Sequence, residues 1–470
     1  MTSLDYFRQL TLLKKLFWVY FFLLIFEGAL RKWVVPQFSA PLLVVRDPIC
    51  IMIIWEAYRT RKWPSPWSVV ISLLTVLLVG LFLLQSVLGD NPWYLELYGL
   101  TSYLLPFPVA FIMGENLDED DLRKFGTCTI WLLLPLTALE AAQYLAPAGS
   151  VLNKGAYEGG EQLSYADSHV RASATFSFVT GPTNYVPLTA AFVLYGIVTN
   201  KLAKSWLLWA GASAVVLAVP LTGSRTQGYL LLAMLACVVA AAALGLSQFA
   251  RAFKAIVIVS AVFGLVSFLP IFDKSMGTLT TRFASSTETE GGAQHSLFSR
   301  LIEPMLQVGD DTLDTRDWLG VGMGRAANLA STLLAGTDTS AASVELEFPR
   351  IITEFGPFFG GAFLLFRLSL AVLIVGRSLA RVRDGESLAW LLVPLTLSNL
   401  VWGKLDQPTE QGFMVISIAF SLGALRGVDI PTATAPPLVR VAGRYATSIG
   451  AQKLMQRAQL KATDITGGKK

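Results

Sequence analysis

Charge is scarce in this chain. Only 15% of its 470 residues are Asp, Glu, Lys or Arg, against 53% hydrophobic. That balance excludes a soluble globular domain of this length and reads as a polytopic membrane protein, with a lipid bilayer rather than nucleic acid as its partner. Cysteine is scarcer still: Cys50, Cys128 and Cys237 all fall inside apolar runs, so neither a disulfide framework nor a zinc site is expected and the three read as small buried residues. Histidine occurs only at His169 and His295. A leader-peptide cleavage site is missing too. The first apolar run follows Lys14 and Lys15 and continues into "FEGALRKWVVP" without small residues at a cleavage position, so it reads as a retained helix, anchor and signal together. No internal repeat suggests a transporter built of two matched halves.

What is present is a series of long apolar runs. A window of about 20 residues finds spans near 14–32, 41–58, 67–88, 95–114, 125–146, 183–199, 205–222, 227–246, 254–271, 351–376, 386–403 and 411–426. The expected fold is therefore all-α and integral to the membrane, with about twelve transmembrane helices and both termini on one side. Placing the termini in the cytoplasm puts Arg59, Arg61, Lys62, Arg123, Lys124, Lys201, Lys204, Arg251, Lys254, Arg377, Arg381 and Arg383 in short cytoplasmic loops, as the positive-inside bias requires. The expected organisation is nine spans in 1–271, an external loop at 272–350, three spans in 351–426, and a basic cytoplasmic tail at 427–470 that is polar with little apolar periodicity. A shorter external segment lies at about 147–182.

The long loop contains "SLFSRLIEPMLQVG" and "RAANLASTLLAG", which read as short amphipathic helices over the membrane face. Between them "GVGMGR" imitates a phosphate loop, but no strand–helix context and no P-loop lysine surround it. The cytoplasmic run "NLDEDDLRKF" imitates an acidic metal site, yet its carboxylates precede a helix and suit the positive end of that helix. No metal ligand set and no cofactor are expected.

External segments should be poor in cations. This chain nevertheless places Arg31, Lys32, Arg46, Arg171, Arg225, Arg282, Arg300, Arg316, Arg325 and Arg350 there or at that membrane boundary. Guanidinium forks match phosphate oxygens bidentately and keep their charge when partly desolvated, so arginines at helix ends on one face suit a pyrophosphate-bearing lipid. Arg31, Lys32 and Arg282 read as anchors reaching to the interface. Arg225 lies between two spans with Gly223, Ser224 and Thr226 around it and reads as a ligand-holding residue. Glu27, Asp47 and Glu140 are costly in lipid and should face the interior with partners, Arg46–Asp47 being a ready local pair.

The run "SVELEFPRIITEFGPFFGG" at the end of the long loop resembles the loop-to-helix junction of the O-antigen ligase and O-antigen polymerase superfamily. "TGSRTQG" is similar to that superfamily's Ser-Arg turn, and "FEGALRKWVVP" with the later "RDP" resembles the N-terminus of its exopolysaccharide-polymerase-like branch. The order of these motifs and the large loop between spans nine and ten carry the resemblance over nearly the whole chain. It implies a glycosyltransferase-C-like enzyme of the bacterial inner membrane, acting on the periplasmic side without a metal ion. The implied donor is a glycan on undecaprenyl pyrophosphate, the implied acceptor a sugar hydroxyl of another glycan, and a chain-length regulator and a flippase are candidate partners.

Carried onto this sequence, Arg225 matches the position that holds the donor pyrophosphate; Arg350, Arg171 and Arg46, cations on the same external side, are expected to join it, with Ser224, Glu354, Asp47 and Arg300 in support. Ligases of the family carry a His-Asn pair some eleven residues before the glycine that here is Gly356, and this chain has Glu345 at that place. Glu345 or Glu347 then serves as the base, and direct displacement inverts the anomeric centre through a loose, oxocarbenium-like transition state. The departure favours a polymerase of lipid-linked repeat units over a ligase that moves glycan to lipid A core or protein. A flippase would distribute its charges along a path through the spans, whereas here they collect at one face.

The topology is testable directly. A Ser286→Cys chain lacking Cys50, Cys128 and Cys237 is expected to react with a membrane-impermeant thiol reagent in intact cells; labelling only after lysis overturns the orientation.

Overall fold

A computed structural model describes residues 9–89, 91–156, 170–200, 202–244, 246–272, 274–277, 279–280, 318–327, 346–383 and 387–426. Most of the expected external loop and the basic tail lie outside these residues. The chain forms two units, Met1–Leu425 and Arg426–Lys470, and the helices build the first. They are α1 (Leu12–Ala29), α2 (Asp47–Arg59), α3 (Ser68–Leu88), α4 (Trp93–Leu104), α5 (Pro106–Asn116), α6 (Glu119–Leu145), α7 (Thr180–Thr199), α8 (Ser205–Thr222), α9 (Arg225–Leu244), α10 (Leu246–Val266), α11 (Glu347–Arg383), α12 (Leu388–Val401) and α13 (Pro408–Arg426). No strand interrupts them among the described residues.

Among the described residues, six helical stretches are long and apolar enough to cross a bilayer: Ser65–Leu88, Trp93–Asn116, Glu119–Leu145, Ser205–Thr222, Arg225–Ala243 and Glu347–Val382. The pair Ile256–Val266 and Pro270–Gly277 adds a seventh if it makes one bent span. By these helices the chain is a membrane protein, but they do not establish the twelve expected spans. The remaining expected spans fall on helices that are too short, such as α2 with 13 residues and α12 with 14, or on ones that carry polar side chains. Thus α1 includes Lys14, Lys15 and Glu27, and α7 includes Thr183, Asn184 and Thr189.

Burial explains this polarity. Every residue of α7 from Gly181 to Val198 is buried, and the helix is packed by α6, α8, α9, α10 and α12. A helix enclosed by other helices meets no lipid, so small and hydroxyl-bearing residues serve it well. In the same way Thr396 of α12 bonds to the Ser417 carbonyl at 3.1 Å and pairs with the Ser421 hydroxyl at 2.9 Å on buried α13. At the periphery, α3 instead exposes Val69, Leu73, Val76, Leu83 and Val87, an apolar surface fit for acyl chains. Aromatic stacking joins α1, α6 and α13, with ring centroids 3.8 Å apart for Trp18–Phe125 and 5.2 Å for Phe125–Phe420.

The acidic run before α6 does structural work. Asp118 and Asp121 form a reciprocal capping box, and the Lys14 ammonium lies 2.7 Å from Asp118 and 2.5 Å from Asp121, tying the start of α1 to the start of α6. Burial raises the Asp118 carboxyl, but the Lys14 ammonium and the Asp121 amide outweigh it and hold the group below its ordinary value.

Two departures from regular helix set up the opposite end of the bundle. The last turn of α1 widens into a π-turn over Leu30–Val34, in which Arg31 and Lys32 are buried, so neither is the interface anchor expected from sequence. The second is a break in α11, which begins at Glu347 rather than near 351, with Pro349 in its first turn where proline is tolerated. At Gly356 the backbone takes φ 76° and ψ 167° before Pro357 restarts the helix. A Cβ at Gly356 would collide with the Trp318 carbonyl. Gly356→Ala is expected to cost at least roughly 1–2 kcal/mol through its backbone conformation alone and to lower the melting midpoint in detergent. Gly361→Ala, inside the helix and surrounded by open space, is expected to leave that midpoint unchanged or raise it slightly.

Candidate functional site

The turn between α8 and α9 follows from its sequence. Thr222 ends α8, left-handed Gly223 reverses the chain, and the Ser224 side chain accepts from the Gln227 amide at 3.4 Å as the cap of α9. Gln227 in turn accepts the Thr222 hydroxyl at 2.8 Å. Ser224 is thereby buried and Arg225 stands half-buried in the first position of α9. Arg171, also half-buried, donates its Nε to the Thr222 carbonyl at 3.4 Å, and the Ala172 amide reaches the Leu221 carbonyl at 3.4 Å. Arg171, from a distant part of the chain, thereby reaches the end of α8, three residues before Arg225 opens α9. Amides and cations at such a terminus suit an anionic ligand.

A second group forms at the start of α11. Glu347, Arg350 and Glu354 share one helix face: Arg350 lies 2.5 Å from Glu347 and 3.7 Å from Glu354, and 3.6 Å from Asp406 on the segment before α13. Glu347 is engaged through both oxygens. Oε2 faces Arg350, while Oε1 accepts from Arg367 at 2.7 Å and from the Leu405 amide at 3.3 Å. Arg367 also donates to the carbonyls of Leu400 at 2.7 Å and Gly403 at 2.8 Å, capping the C-terminal end of α12.

The glycine loop closes over this group. Gly320, Gly322 and Gly324 have φ of 70°, 109° and 76°, which turns the amides of Gly324 and Ala326 onto the Glu354 carboxylate at 3.0 and 3.1 Å. The Tyr103 hydroxyl donates to the same carboxylate at 2.7 Å. Gln85 ties the loop down by donating to the carbonyls of Leu319 and Glu354 at 2.5 and 2.8 Å and accepting the Met323 amide at 3.0 Å. "GVGMGR" is thus an anion-binding loop whose anion is the protein's own glutamate.

Arg46 links these elements to α1. Its partner is Glu27 at 3.3 Å, not the adjacent Asp47 expected from sequence, and it donates to the Pro408 carbonyl. The reason is reach: Asp47 begins α2, whereas the guanidinium of Arg46 is turned into the bundle and is 2% exposed. Glu27 also meets Arg31 at 3.5 Å. Contacts thus run from the Arg225 turn through Arg171 and the 171–177 segment to Arg31, Glu27 and Arg46. From there they pass along 406–408 to Arg350. Glu140 was expected to find a partner, but it is buried with Oε2 lacking any hydrogen bond.

Of the residues expected from sequence, Arg171, Ser224 and Arg225 come together, as do Glu347, Arg350, Glu354 and Arg46 with the 406–408 segment. Glu345 and Arg300 lie outside the described residues. Arg367 and Asp406 were not among the residues expected from sequence. Arg367 carried a usable signal, being the one charge in the apolar run 355–376; Asp406 sits in a short polar turn and carried none.

Breaking a buried ion pair leaves an unpaired charge, at about 3–5 kcal/mol. Glu347→Gln is expected to lower the thermal midpoint of the purified protein sharply, and so is Arg367→Met. Combining the two is expected to cost less than the sum; additive losses would show that the two side chains do not act as a pair. No family model and no curated protein matches this chain.

Proposed function

We propose that this chain is a membrane glycosyltransferase that joins undecaprenyl-pyrophosphate-linked oligosaccharide repeat units into O-antigen or exopolysaccharide on the periplasmic side of the bacterial inner membrane. The observation that carries the reading is the contact of Arg171 with the α8–α9 turn: half-buried Arg171 donates to the Thr222 carbonyl, three residues before half-buried Arg225 opens α9. Such an arrangement favours a diphosphate ester at the membrane surface.

The roles divide by burial. Arg171 and Arg225 retain exposure and are assigned to the donor pyrophosphate. Arg46 and Arg350 are 2% exposed and committed to carboxylates, so they act on that phosphate through their field and by holding the surrounding helix ends. In the reaction the acceptor hydroxyl oxygen attacks the anomeric carbon, the bond from that carbon to the phosphate oxygen breaks with its electrons leaving on the lipid pyrophosphate, and the hydroxyl proton passes to a carboxylate. Glu347 has both oxygens occupied by guanidinium and amide donors, which supports reading it as a positioning residue, and Glu345 is the base in this proposal. Displacement on the face opposite the leaving group inverts the sugar.

Purified protein incubated with a lipid-linked repeat unit is expected to give a ladder on a gel. A single transfer product would instead mark a ligase, and no change in glycan length would leave a transporter. Arg225→Ala is expected to abolish the ladder at unchanged protein level, with Arg225→Lys recovering little because the ammonium lacks the planar fork. Glu345→Gln is expected to slow turnover by roughly 10²-fold or more, as loss of a general base does; full turnover in that variant removes Glu345 from the chemistry.

A further inference from the structure

The segment that carries Arg171 contains a backbone anomaly. Ala174 has φ 47°, at the first central position of a turn closed by the Phe176 amide on the Ser173 carbonyl at 3.0 Å. That position favours glycine, and an alanine there is held in place only by its surroundings. The surroundings are explicit. Gln143 of α6 accepts the amides of Ser173 and Ala174 at 3.1 and 2.8 Å and donates to the Ala174 carbonyl at 3.2 Å. From the other side the Lys32 ammonium, 1% exposed, donates to the Ser173 hydroxyl at 2.5 Å and to the same Ala174 carbonyl at 3.4 Å.

Helix α1 presses the turn into this grip. The Thr175 hydroxyl donates to the Ile25 carbonyl at 2.7 Å and Arg31 reaches the Ser177 hydroxyl at 3.1 Å. A Cβ at Gly28 would collide with the Ser177 amide. Lys32 forms no ion pair among the described residues, so the energetic cost of burying its charge is offset by neutral oxygens of this turn and by the Trp33 ring, 5.7 Å from the ammonium.

We propose that Lys32 and Gln143 are positioning residues that clamp the left-handed Ser173–Phe176 turn and, through it, hold Arg171 against the Ser224–Arg225 turn. Because the turn follows Arg171 by two residues, release of Ala174 toward ordinary backbone angles swings the Arg171–Ala172 pair away from the Leu221 and Thr222 carbonyls. The consequence for ligand binding rests on the pyrophosphate reading of that site; the clamp itself does not.

The test uses the full chain in lipid nanodiscs, with hydrogen exchange at the Ala172 amide and binding of undecaprenyl pyrophosphate as the two readouts. Lys32→Met is expected to speed Ala172 exchange and to weaken binding, each roughly tenfold, about 1.4 kcal/mol, while amides of α7 keep their protection. Ala174→Gly in the same chain is expected to restore most of both, since glycine adopts the turn without the clamp. In the Arg171→Ala background, Lys32→Met is expected to weaken binding no further. Gln143→Met provides the same comparison if Lys32→Met fails to fold. Unchanged Ala172 exchange, absence of rescue by Ala174→Gly, or additive losses with Arg171→Ala each overturn the clamp. If exchange and rescue behave as stated but the unsubstituted chain does not bind undecaprenyl pyrophosphate, the clamp stands and the pyrophosphate reading falls.

Discussion

Glu347 holds two guanidinium groups at once, and much of the architecture at its end of the bundle follows from that. An arginine taken out of water among helices must meet an opposite charge and satisfy its remaining donors, or it is not buried at all. Arg367 does so by bridging Glu347 to the last carbonyls of α12, which fixes where α12 ends relative to α11. Arg350 does so between Glu347, Glu354 and Asp406, which fixes the segment leading into α13. Glu27 repeats the pattern with Arg31 and Arg46. Carboxylates shared between cations are what bring the helix ends to one place.

Beside these enclosed pairs, Arg171 and Arg225 are half-buried. Charge that is fully enclosed shapes the field and the fold; charge that keeps some exposure can take a ligand. The chemistry proposed for the protein uses that division, with the leaving phosphate at the α8–α9 turn and the enclosed ion pairs holding the helix ends. Preorganised cations of this kind stabilise developing negative charge without rearranging as the bond breaks.

The glycine loop shows how the same physical device serves a different end. Successive positive-φ glycines aim amides at one point, a geometry suited to phosphate, yet here the point is filled by the Glu354 carboxylate. The loop thereby fastens residues 318–327, which belong to the long segment between α10 and α11, onto the break in α11 at Gly356. An internal anion does for folding what a bound one does elsewhere for recognition.

The length of the apolar runs determined that this chain is a helical membrane protein, because continuous apolar runs of about 20 residues have no stable alternative to helices in lipid. Sequence also isolated the Arg225 turn, since a cation flanked by apolar runs is legible from its neighbours. It placed the carboxylates of "NLDEDDLRKF" at a helix start, which the capping box of α6 bears out. Pairing was not legible. Arg46 stands beside Asp47 in the chain but joins Glu27, and Arg31 and Lys32, expected at the interface, are enclosed by the 173–177 turn. Hydropathy counts residues along one strand of sequence, so it found twelve apolar runs without telling lipid-facing helices from enclosed ones such as α7. Which charges meet depends on how helix ends converge in three dimensions, and that only the tertiary structure decided.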